Sequence, residues 1–493
     1  MKIPKNLERS LGHIGRLLIM VGIVILAPLI VGVYYSEWTF EGNNIYLGFL
    51  IPSLLSISIG AILNFRYKLR RLTLVQGLLV TGVGWILISF ICTFPFVLIL
   101  DMSVINSFFE AVSGFTTTGI TMITDLEVLP RSVLIFRSLI QWIGGLGIIT
   151  FFLFIGTRGI SEHILFQGES HKIEVSTPVP NVARTIKYLW IIYGGFTAAL
   201  MGLLYLQGMS PFDTLNHAFT TLSTGGFSTY NSSIAHFGEA GIGNYKLIEY
   251  TITVFMFLGG TSFVVHYRVL KGRIKTLWDN IEMKTWWAIL GFSTFFIMYE
   301  AGLFEGSVEP IFRKTLFQVV AVATTTGFET EFIGGPLFGA MARQLFLILM
   351  VIGSCVSSTG GGLKVRRVSI MLKGIWNRIK RASRPREMMS PLMVDGEKVE
   401  NSELERIFII FASWILILLL GGLLTALLSS KGSLTSFSGI FSALGNIGPS
   451  FMSVSEMAAL NPIIKIFYIF AMLVGRLEIL PVFILFNKEV WEA

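Results

Sequence analysis

Apolar residues occur along this chain in runs of about 20, the length that an α-helix needs to cross the hydrocarbon core of a bilayer. The eighth run is too long for one span, and Gly353, Gly360, Gly361 and Gly362 interrupt it, which predicts a broken helix. The predicted spans are 15–36, 45–65, 74–100, 132–156, 185–208, 246–270, 285–304, 339–372, 404–429 and 462–486. The pattern therefore indicates an all-α polytopic membrane protein.

The composition agrees with this pattern. Of 493 residues, 53% are hydrophobic and 14% are charged, and the mean hydropathy is +0.71, whereas soluble domains carry about 25% charged residues. The net charge of +8 does not indicate nucleic-acid binding, because the basic residues lie between the apolar runs. Cys92 and Cys355 lie inside apolar runs and are interpreted as packing residues. We find neither metal-ligand spacing nor a catalytic constellation, so an enzyme is not predicted.

Lys and Arg are distributed unevenly between the two sides that the ten spans define. The connections 1–16, 64–72, 156–188, 268–284, 364–406 and 487–493 hold 29 of them. The connections 37–44, 101–131, 209–245, 305–338 and 430–461 hold 4. The positive-inside rule places the first set in the cytoplasm, together with both termini, so a multi-pass protein of the plasma membrane is expected.

Four of the outer connections contain an apolar stretch too short to span the membrane, at 103–115, 211–223, 310–323 and 436–444. Such stretches are typical of re-entrant helices. Start signals precede three of them: Ser103 in the first, Ser210 with Pro211 and Asp213 in the second, and Glu309 with Pro310 in the third. The pattern of helix, half-helix, polar strand and helix thus recurs four times.

These repeats define the predicted organisation of the chain. A two-helix preamble covers 1–72, and the first two pore repeats cover 73–156 and 157–270. The third repeat, with its broken second helix, covers 271–372. A basic linker at 373–403 leads to the fourth repeat at 404–493. The fold class predicted is two N-terminal helices plus four helix–pore-helix–helix repeats around a pseudo-fourfold pore.

A short string with glycine in third place follows each half-helix. The four strings, called the filter strings below, are Thr117-Thr118-Gly119-Ile120, Thr224-Gly225-Gly226-Phe227, Thr325-Thr326-Gly327-Phe328 and Asn446-Ile447-Gly448-Pro449. Non-helical backbone at membrane depth is tolerated where it is buried in protein or lines a wet cavity, and carbonyls aimed at an axis can replace the water around a monovalent cation. Ordinary Gly/Thr-rich outer loops are the alternative interpretation, but four strings in register favour a cation pathway.

With these strings, the sequence resembles the Trk/Ktr/HKT superfamily of potassium transporters, over essentially its whole length. The two extra N-terminal helices and the run Gly475–Ile479 resemble the bacterial Trk branch most closely. The resemblance implies that backbone carbonyls of Thr117, Thr118, Thr224, Gly225, Thr325, Thr326, Asn446 and Ile447 coordinate potassium, with Gly119, Gly226, Gly327 and Gly448 as filter glycines. Plant relatives that select sodium carry Ser at the first of these glycines, so four glycines favour potassium. The fourth string lacks Thr, which fits the family's usual divergence at that position.

Two further features are assigned to gating. Arg476 lies within the last span, where a charge is costly and indicates function; the resemblance implies an electrostatic barrier below the filter, and a structural ion pair is the alternative. The interrupted stretch with Gly353, Gly360, Gly361 and Gly362 matches the family's gating loop, and a simple kink is the alternative. Gly144-Gly145-Leu146-Gly147 is interpreted as close helix packing.

Several interpretations stay open. Glu110, Asp213, Glu329 and Glu331 lie near the predicted outer mouth, either to attract cations or as caps and surface charge. The basic stretch 364–406 is either plain topology with anionic lipid contact or a docking face. The resemblance implies a cytosolic ring of nucleotide-binding regulatory subunits, a homodimer, and potassium as the transported ion, with no organic cofactor on this chain. A sodium-permeable or nonselective transporter of the same fold is the alternative function.

Overall fold

The computed structural model describes residues 4–67, 69, 71–147, 150, 182–302, 307–382 and 391–492. The N-terminal preamble consists of helices α1 (Lys5–Tyr34) and α2 (Ile45–Arg66), joined by a hairpin of strands β1 (Thr39–Phe40) and β2 (Asn43–Asn44). The two helices pack through small residues. A side chain at Gly15 would meet the Gly60 carbonyl at 2.8 Å, and the Ser53 hydroxyl donates to the Gly22 carbonyl at 2.6 Å. Helices in a bilayer associate through such close contacts. Lipid tails are as apolar as the helix surfaces, so the hydrophobic effect does not drive the helices together.

The four repeats follow in order. The first contains α3 (Leu74–Ile91), α4 (Phe94–Leu100), α5 (Val104–Phe115) and α6 (Arg131–Leu146), and the second contains α7 (Val182–Leu206), α8 (Pro211–Leu222), α9 (Ala235–Glu239), α10 (Tyr245–Gly260) and α11 (Phe263–Leu270). After α12 (Thr276–Asp279), the third contains α13 (Ile281–Glu300), α14 (Val308–Ala323), α15 (Ala340–Ile352) and α16 (Val365–Ala382).

A second hairpin, β3 (Met393–Val394) with β4 (Glu397–Lys398), precedes the fourth repeat. This repeat contains α17 (Asn401–Ser429), α18 (Ser433–Gly445), α19 (Val454–Ala458), α20 (Pro462–Leu477), α21 (Ile479–Phe483), a 3-10 turn at Ile484–Phe486 and α22 (Lys488–Glu492). Helices α5, α8, α14 and α18 are the four short helices predicted from the sequence and are called the pore helices below.

The all-α polytopic membrane fold is confirmed. Five described helices are long and apolar enough to cross a membrane: Lys5–Tyr34, Ile45–Arg66, Leu74–Leu100, Arg184–Leu206 and Asn401–Ser429. The pair α10 and α11 forms a sixth if counted as one span, and it bends by 101°. Of the other predicted spans, 132–156 runs beyond the described residues, while 339–372 and 462–486 are interrupted at Gly353 and Glu478, where φ is 67° and 65°.

Predicted helix starts agree with the structure in two of three cases. Ser103 accepts from the Asn106 N–H, and Ser210 accepts from the Asp213 N–H. The third prediction was wrong in its position. Pore helix α14 begins at Val308, so Glu309 lies in the first turn instead of capping the helix. The acid still favours the helix N-terminus through its charge.

Buried side chains form two large apolar clusters. One joins the preamble to repeats 1 and 4 and includes Phe109 and Tyr468. The other joins repeats 2 and 3 and includes Trp286 and Phe317. The pore helices contribute to both clusters, so packed protein holds these helices, at whose C-terminal ends the filter strings begin.

Candidate ion pathway

The four filter strings share one backbone conformation. The first residue of each is left-handed, with φ of 53° at Thr117, 51° at Thr224, 59° at Thr325 and 55° at Asn446. The glycines also have positive φ: 82° at Gly119, 74° at Gly226, 76° at Gly327 and 110° at Gly448. β-Branched residues rarely adopt positive φ. Its recurrence at three equivalent Thr positions indicates that surrounding contacts impose this conformation.

The strings close into a ring. Each glycine faces the carbonyl oxygen of the second string residue in the next repeat, and the facing pairs are Gly119 with Gly225, Gly226 with Thr326, Gly327 with Ile447, and Gly448 with Thr118. A Cβ atom on the first three glycines would overlap that oxygen, and one on Gly448 would approach it to 3.0 Å. Because the last pair joins repeat 4 to repeat 1, the four strings that are distant in sequence surround one axis.

Side chains from neighbouring repeats hold two of the strings. Gln141, on α6 of repeat 1, donates from Nε2 to the Gly225 oxygen at 2.6 Å and accepts from the Phe227 N–H at 3.1 Å. Asn446 donates from Nδ2 to the Thr118 hydroxyl at 2.9 Å. The sequence analysis missed Gln141, although a polar residue inside a predicted span was an available signal.

A vestibule of about 290 Å³ opens on the outer side of the ring, and all four filter glycines line it. Glu329 lies in its wall. The other acids predicted near the mouth are engaged elsewhere. Glu110 is fully buried within the protein, Asp213 is bonded in the first turn of its pore helix, and Glu331 forms an ion pair with Lys314. Glu329 is thus the member of this group that faces the entrance.

The interrupted stretch 353–364 forms a loop, called the gate loop below, directly beneath the ring. Its Thr359 hydroxyl lies 2.9 Å from the Leu222 oxygen, at the end of pore helix α8, and 3.2 Å from the Thr224 hydroxyl. The Gly361 N–H donates to the Thr325 hydroxyl at 2.7 Å. The gate loop therefore contacts the first-position side chains of repeats 2 and 3.

Arg476 occupies the inner side of the ring opposite the gate loop. Its guanidinium donates to the Thr359 oxygen at 2.5 Å and to the Gly145 oxygen at 2.5 Å, and it also contacts the Gly144 oxygen. Glu478, two residues further on, forms an ion pair with Arg367 at 2.9 Å. These contacts of Arg476 are with backbone oxygens of repeats 1 and 3, and they place a single positive charge beneath the filter.

Equivalent positions in the four second helices explain how this charge fits. Gly144, Gly259, Gly360 and Gly475 each lie against the end of the pore helix of their own repeat. The next residues are Gly145, Gly260 and Gly361 in three repeats, each facing the pore helix end of the following repeat, and Arg476 in the fourth. The packing role predicted for Gly144 and Gly145 agrees with these contacts. Only repeat 4 places a side chain at this inner position.

The start of α13 also fastens the gate loop. The carboxylate of Glu282, at the start of α13, accepts from the Val356 N–H at 2.6 Å and is buried. The cavity between loop and arginine measures about 50 Å³, and Val356, Gly360 and Arg476 are among its lining residues. This inner cavity is much smaller than the outer vestibule.

A ring of strained backbone lies between the vestibule and a small inner cavity, among membrane-spanning helices, and this arrangement is typical of a membrane transport protein. The comparisons give the same answer, because residues 47–303 and 305–492 match the TrkH family of cation transport proteins. The chain therefore belongs to the TrkH family, which is a transport family and not a family of enzymes.

Individual relatives align over nearly the full length. The Trk system potassium uptake protein TrkH of Salmonella typhimurium is 29% identical over 491 residues, covering 97% of this chain and 98% of the relative. An uncharacterized cation transporter of Methanocaldococcus jannaschii is 32% identical, covering 98% and 96%. The crystal structure of the potassium transporter TrkH from Vibrio parahaemolyticus superimposes with a TM-score of 0.85 at 27% identity, covering 98% of this chain and 99% of that one.

Proposed function

We propose that this protein carries potassium into the cell through the ring of filter strings. The observation that carries the proposal is the closed ring itself, in which each glycine abuts the carbonyl of the next repeat. Carbonyls arranged around an axis can replace the hydration shell of a monovalent cation. The C-terminal ends of the four pore helices point at this ring, and their partial negative charge favours a cation there. The membrane potential, worth about 2.3 kcal/mol per charge per 100 mV, drives entry.

Potassium is the favoured ion for two reasons. All four strings keep glycine in third place, and the relatives from Salmonella and Vibrio are named as potassium proteins. The alternative is a sodium-permeable or nonselective transporter of the same fold. The carbonyls assigned to the ion are those of Thr117, Thr118, Thr224, Gly225, Thr325, Thr326, Asn446 and Ile447.

The gate loop and Arg476 together form the proposed gate. The loop, with Gly353, Gly360, Gly361 and Gly362, blocks the inner mouth below repeats 2 and 3, and Arg476 places a positive charge beside it. A cation leaving the filter meets both. Opening requires two changes: the gate loop releases the Thr325 hydroxyl, and Thr359 moves away from Arg476. Gly353 and Gly362, whose φ is positive, serve as the hinges for this movement.

The cytoplasmic face is proposed to bind the regulatory partner. Helix α16 carries Arg366, Arg367, Lys373, Arg378 and Lys380 and follows the gate loop directly. A nucleotide-binding subunit ring docked here would therefore be connected to the gate by a single helix. The same basic surface suits anionic headgroups of the inner leaflet. A homodimer in the plasma membrane, with both termini cytoplasmic, completes the proposed arrangement.

Cation flux into proteoliposomes tests the function. Purified protein is compared for potassium, rubidium, sodium and lithium, as wild type and as Gly119→Ser. Potassium and rubidium flux well above sodium, with discrimination reduced by the substitution, is the expected result. Equal sodium flux would favour the nonselective alternative. If no cation enters the proteoliposomes even with the cytosolic partner present, the transport proposal is overturned.

A further inference from the structure

Each pore helix uses a buried side chain to hold the backbone that leaves its own filter string. These backbone segments, called the return strands below, are 120–123, 227–230, 328–331 and 449–452. The holding side chain lies seven residues before the first string residue in repeats 1 to 3 and eight before it in repeat 4. The four residues, called the anchors below, are Glu110, His217, Gln318 and Ser438, and all are fully buried.

The anchors of repeats 1, 3 and 4 make the same contact with different chemistry. Each accepts a hydrogen bond from the backbone N–H three residues after the filter glycine. The distances are 2.8 Å from Met122 to Glu110, 3.0 Å from Thr330 to Gln318, and 2.9 Å from Phe451 to Ser438. A carboxylate, an amide and a hydroxyl thus accept the equivalent backbone hydrogen bond. The contact recurs in three repeats, although the residue type does not.

Repeat 2 holds its return strand differently, through an intermediary and at the N–H four residues after the filter glycine. His217 Nδ1 lies 2.8 Å from the Asp213 oxygen, so Nδ1 carries the proton and Nε2 is the acceptor. The Ser228 hydroxyl donates to Nε2 at 3.0 Å and in turn accepts from the Tyr230 N–H at 3.1 Å. The imidazole therefore fixes the return strand of repeat 2 through Ser228.

Arg137 connects the anchor of repeat 1 to the return strand of repeat 2. Arg137 donates to the Glu110 carboxylate at 2.9 Å and to the Ser228 oxygen at 3.1 Å. Its guanidinium also lies over the Phe227 ring, 4.0 Å from the ring centre. Because both partners of this ion pair are buried, the return strands of repeats 1 and 2 are tied together inside the protein.

We propose that the anchors are positioning residues for ion selectivity: by fixing the four return strands from behind, they keep the filter carbonyls at the spacing that discriminates potassium from sodium. The inference rests on the proposed function. None of the four anchors is assigned a contact with the ion. They act through the backbone, and a variant that loses the contact is expected to admit the wrong ion while still conducting.

Two matched pairs of substitutions test this. Gln318→Met removes the acceptor for the Thr330 N–H, and Thr315→Val is its control, because Thr315 is buried on the same helix and its hydroxyl has no partner among the described residues. Ser438→Ala removes the acceptor for the Phe451 N–H, and Ser436→Ala is its control on the same helix, because the Ser436 hydroxyl donates to the nearby Lys431 oxygen instead.

The readout is the ratio of potassium to sodium flux in proteoliposomes, at equal amounts of monodisperse protein. Each anchor variant is expected to lower the ratio by about fivefold, equal to about 1 kcal/mol for one unpaired buried N–H. Both controls are expected to match wild type. Should Gln318→Met fail to fold, the serine pair decides.

The outcomes separate this inference from the proposed function. A wild-type protein that admits sodium as readily as potassium would overturn the selectivity proposal and this inference with it. A selective wild type whose ratio is unchanged in both anchor variants would overturn the inference alone. A fall in ratio that the controls share would also overturn it, because buried polarity in general would then be the cause.

Discussion

The outer and inner sides of the filter are built on opposite plans. On the outer side, three of the four anchors accept from the equivalent backbone N–H and the fourth acts through Ser228, so the surroundings of the ring stay close to fourfold. On the inner side, equivalent positions have different roles: Gly145, Gly260 and Gly361 pack against the following pore helix, while the fourth repeat places the Arg476 side chain there. The gate loop likewise comes from repeat 3 alone.

This difference follows from placing four repeats in one chain. Four identical subunits would put four guanidinium groups into one constriction, and mutual repulsion between like charges a few ångströms apart would be severe. A single chain can place one arginine and one loop at the inner mouth. Coordination requires near-symmetry around the ion, whereas a barrier requires only one charge, so the two sides can diverge independently.

The filter glycines give the sharpest test of near-symmetry. Both sites have positive φ, 76° at Gly327 and 110° at Gly448, but Gly327→Ala also directs a Cβ into the Ile447 oxygen, whereas the Cβ of Gly448→Ala lies 3.0 Å from the Thr118 oxygen. Left-handed backbone alone costs an L-residue about 1–2 kcal/mol. We expect Gly327→Ala to reduce potassium flux by about tenfold or more and Gly448→Ala to reduce it less. Equal losses at both positions, measured in proteoliposomes, would contradict the inequality of the four contacts.

Removing the inner charge is expected to have the next largest effect. Arg476→Gln keeps an amide donor for the Gly145 oxygen but loses the positive charge. Even at the dielectric constant of water, a like charge about 4 Å from the ion costs about 1 kcal/mol, so flux should rise about fivefold or more. Unchanged flux together with a lower yield of folded protein would favour a structural role for Arg476.

What the sequence could predict depended on local patterns. The filter strings, the pore helices and the interruption at Gly353 are visible as short motifs at repeated spacing. The contacts of Gln141 with Gly225 and of Glu282 with Val356 join residues 84 and 74 positions apart, and no local pattern encodes them. Arg137 could have been identified from the sequence. It lies within a predicted span, and the cost of placing a charge there, which indicated a role for Arg476, applies to it equally.

Weakening the contact between the gate loop and the filter strings is expected to raise cation flux less than removing the charge of Arg476 does. Thr359→Val keeps the shape of the side chain but removes its contacts with the Leu222 oxygen and the Thr224 hydroxyl. One neutral hydrogen bond contributes about 1 kcal/mol, so an increase in flux of up to about fivefold is expected. Ser357→Ala is the control, since its hydroxyl takes part in neither contact. An increase in both variants would point to general loosening of the loop.

The smallest effect is expected from a solvent-exposed ion pair. Lys431 and Glu456 pair on the outer surface, where their side chains are 31% and 40% exposed. Exposed pairs contribute about 0–1 kcal/mol, so Lys431→Ala should leave both the ion ratio and the melting temperature in detergent nearly unchanged. Glu110→Ala is the opposite case, because it leaves Arg137 buried without its carboxylate, which costs about 3–5 kcal/mol. If the two variants lowered the melting temperature alike, the buried pair of Glu110 and Arg137 would not stabilise the outer side of the filter more than an exposed pair stabilises the surface.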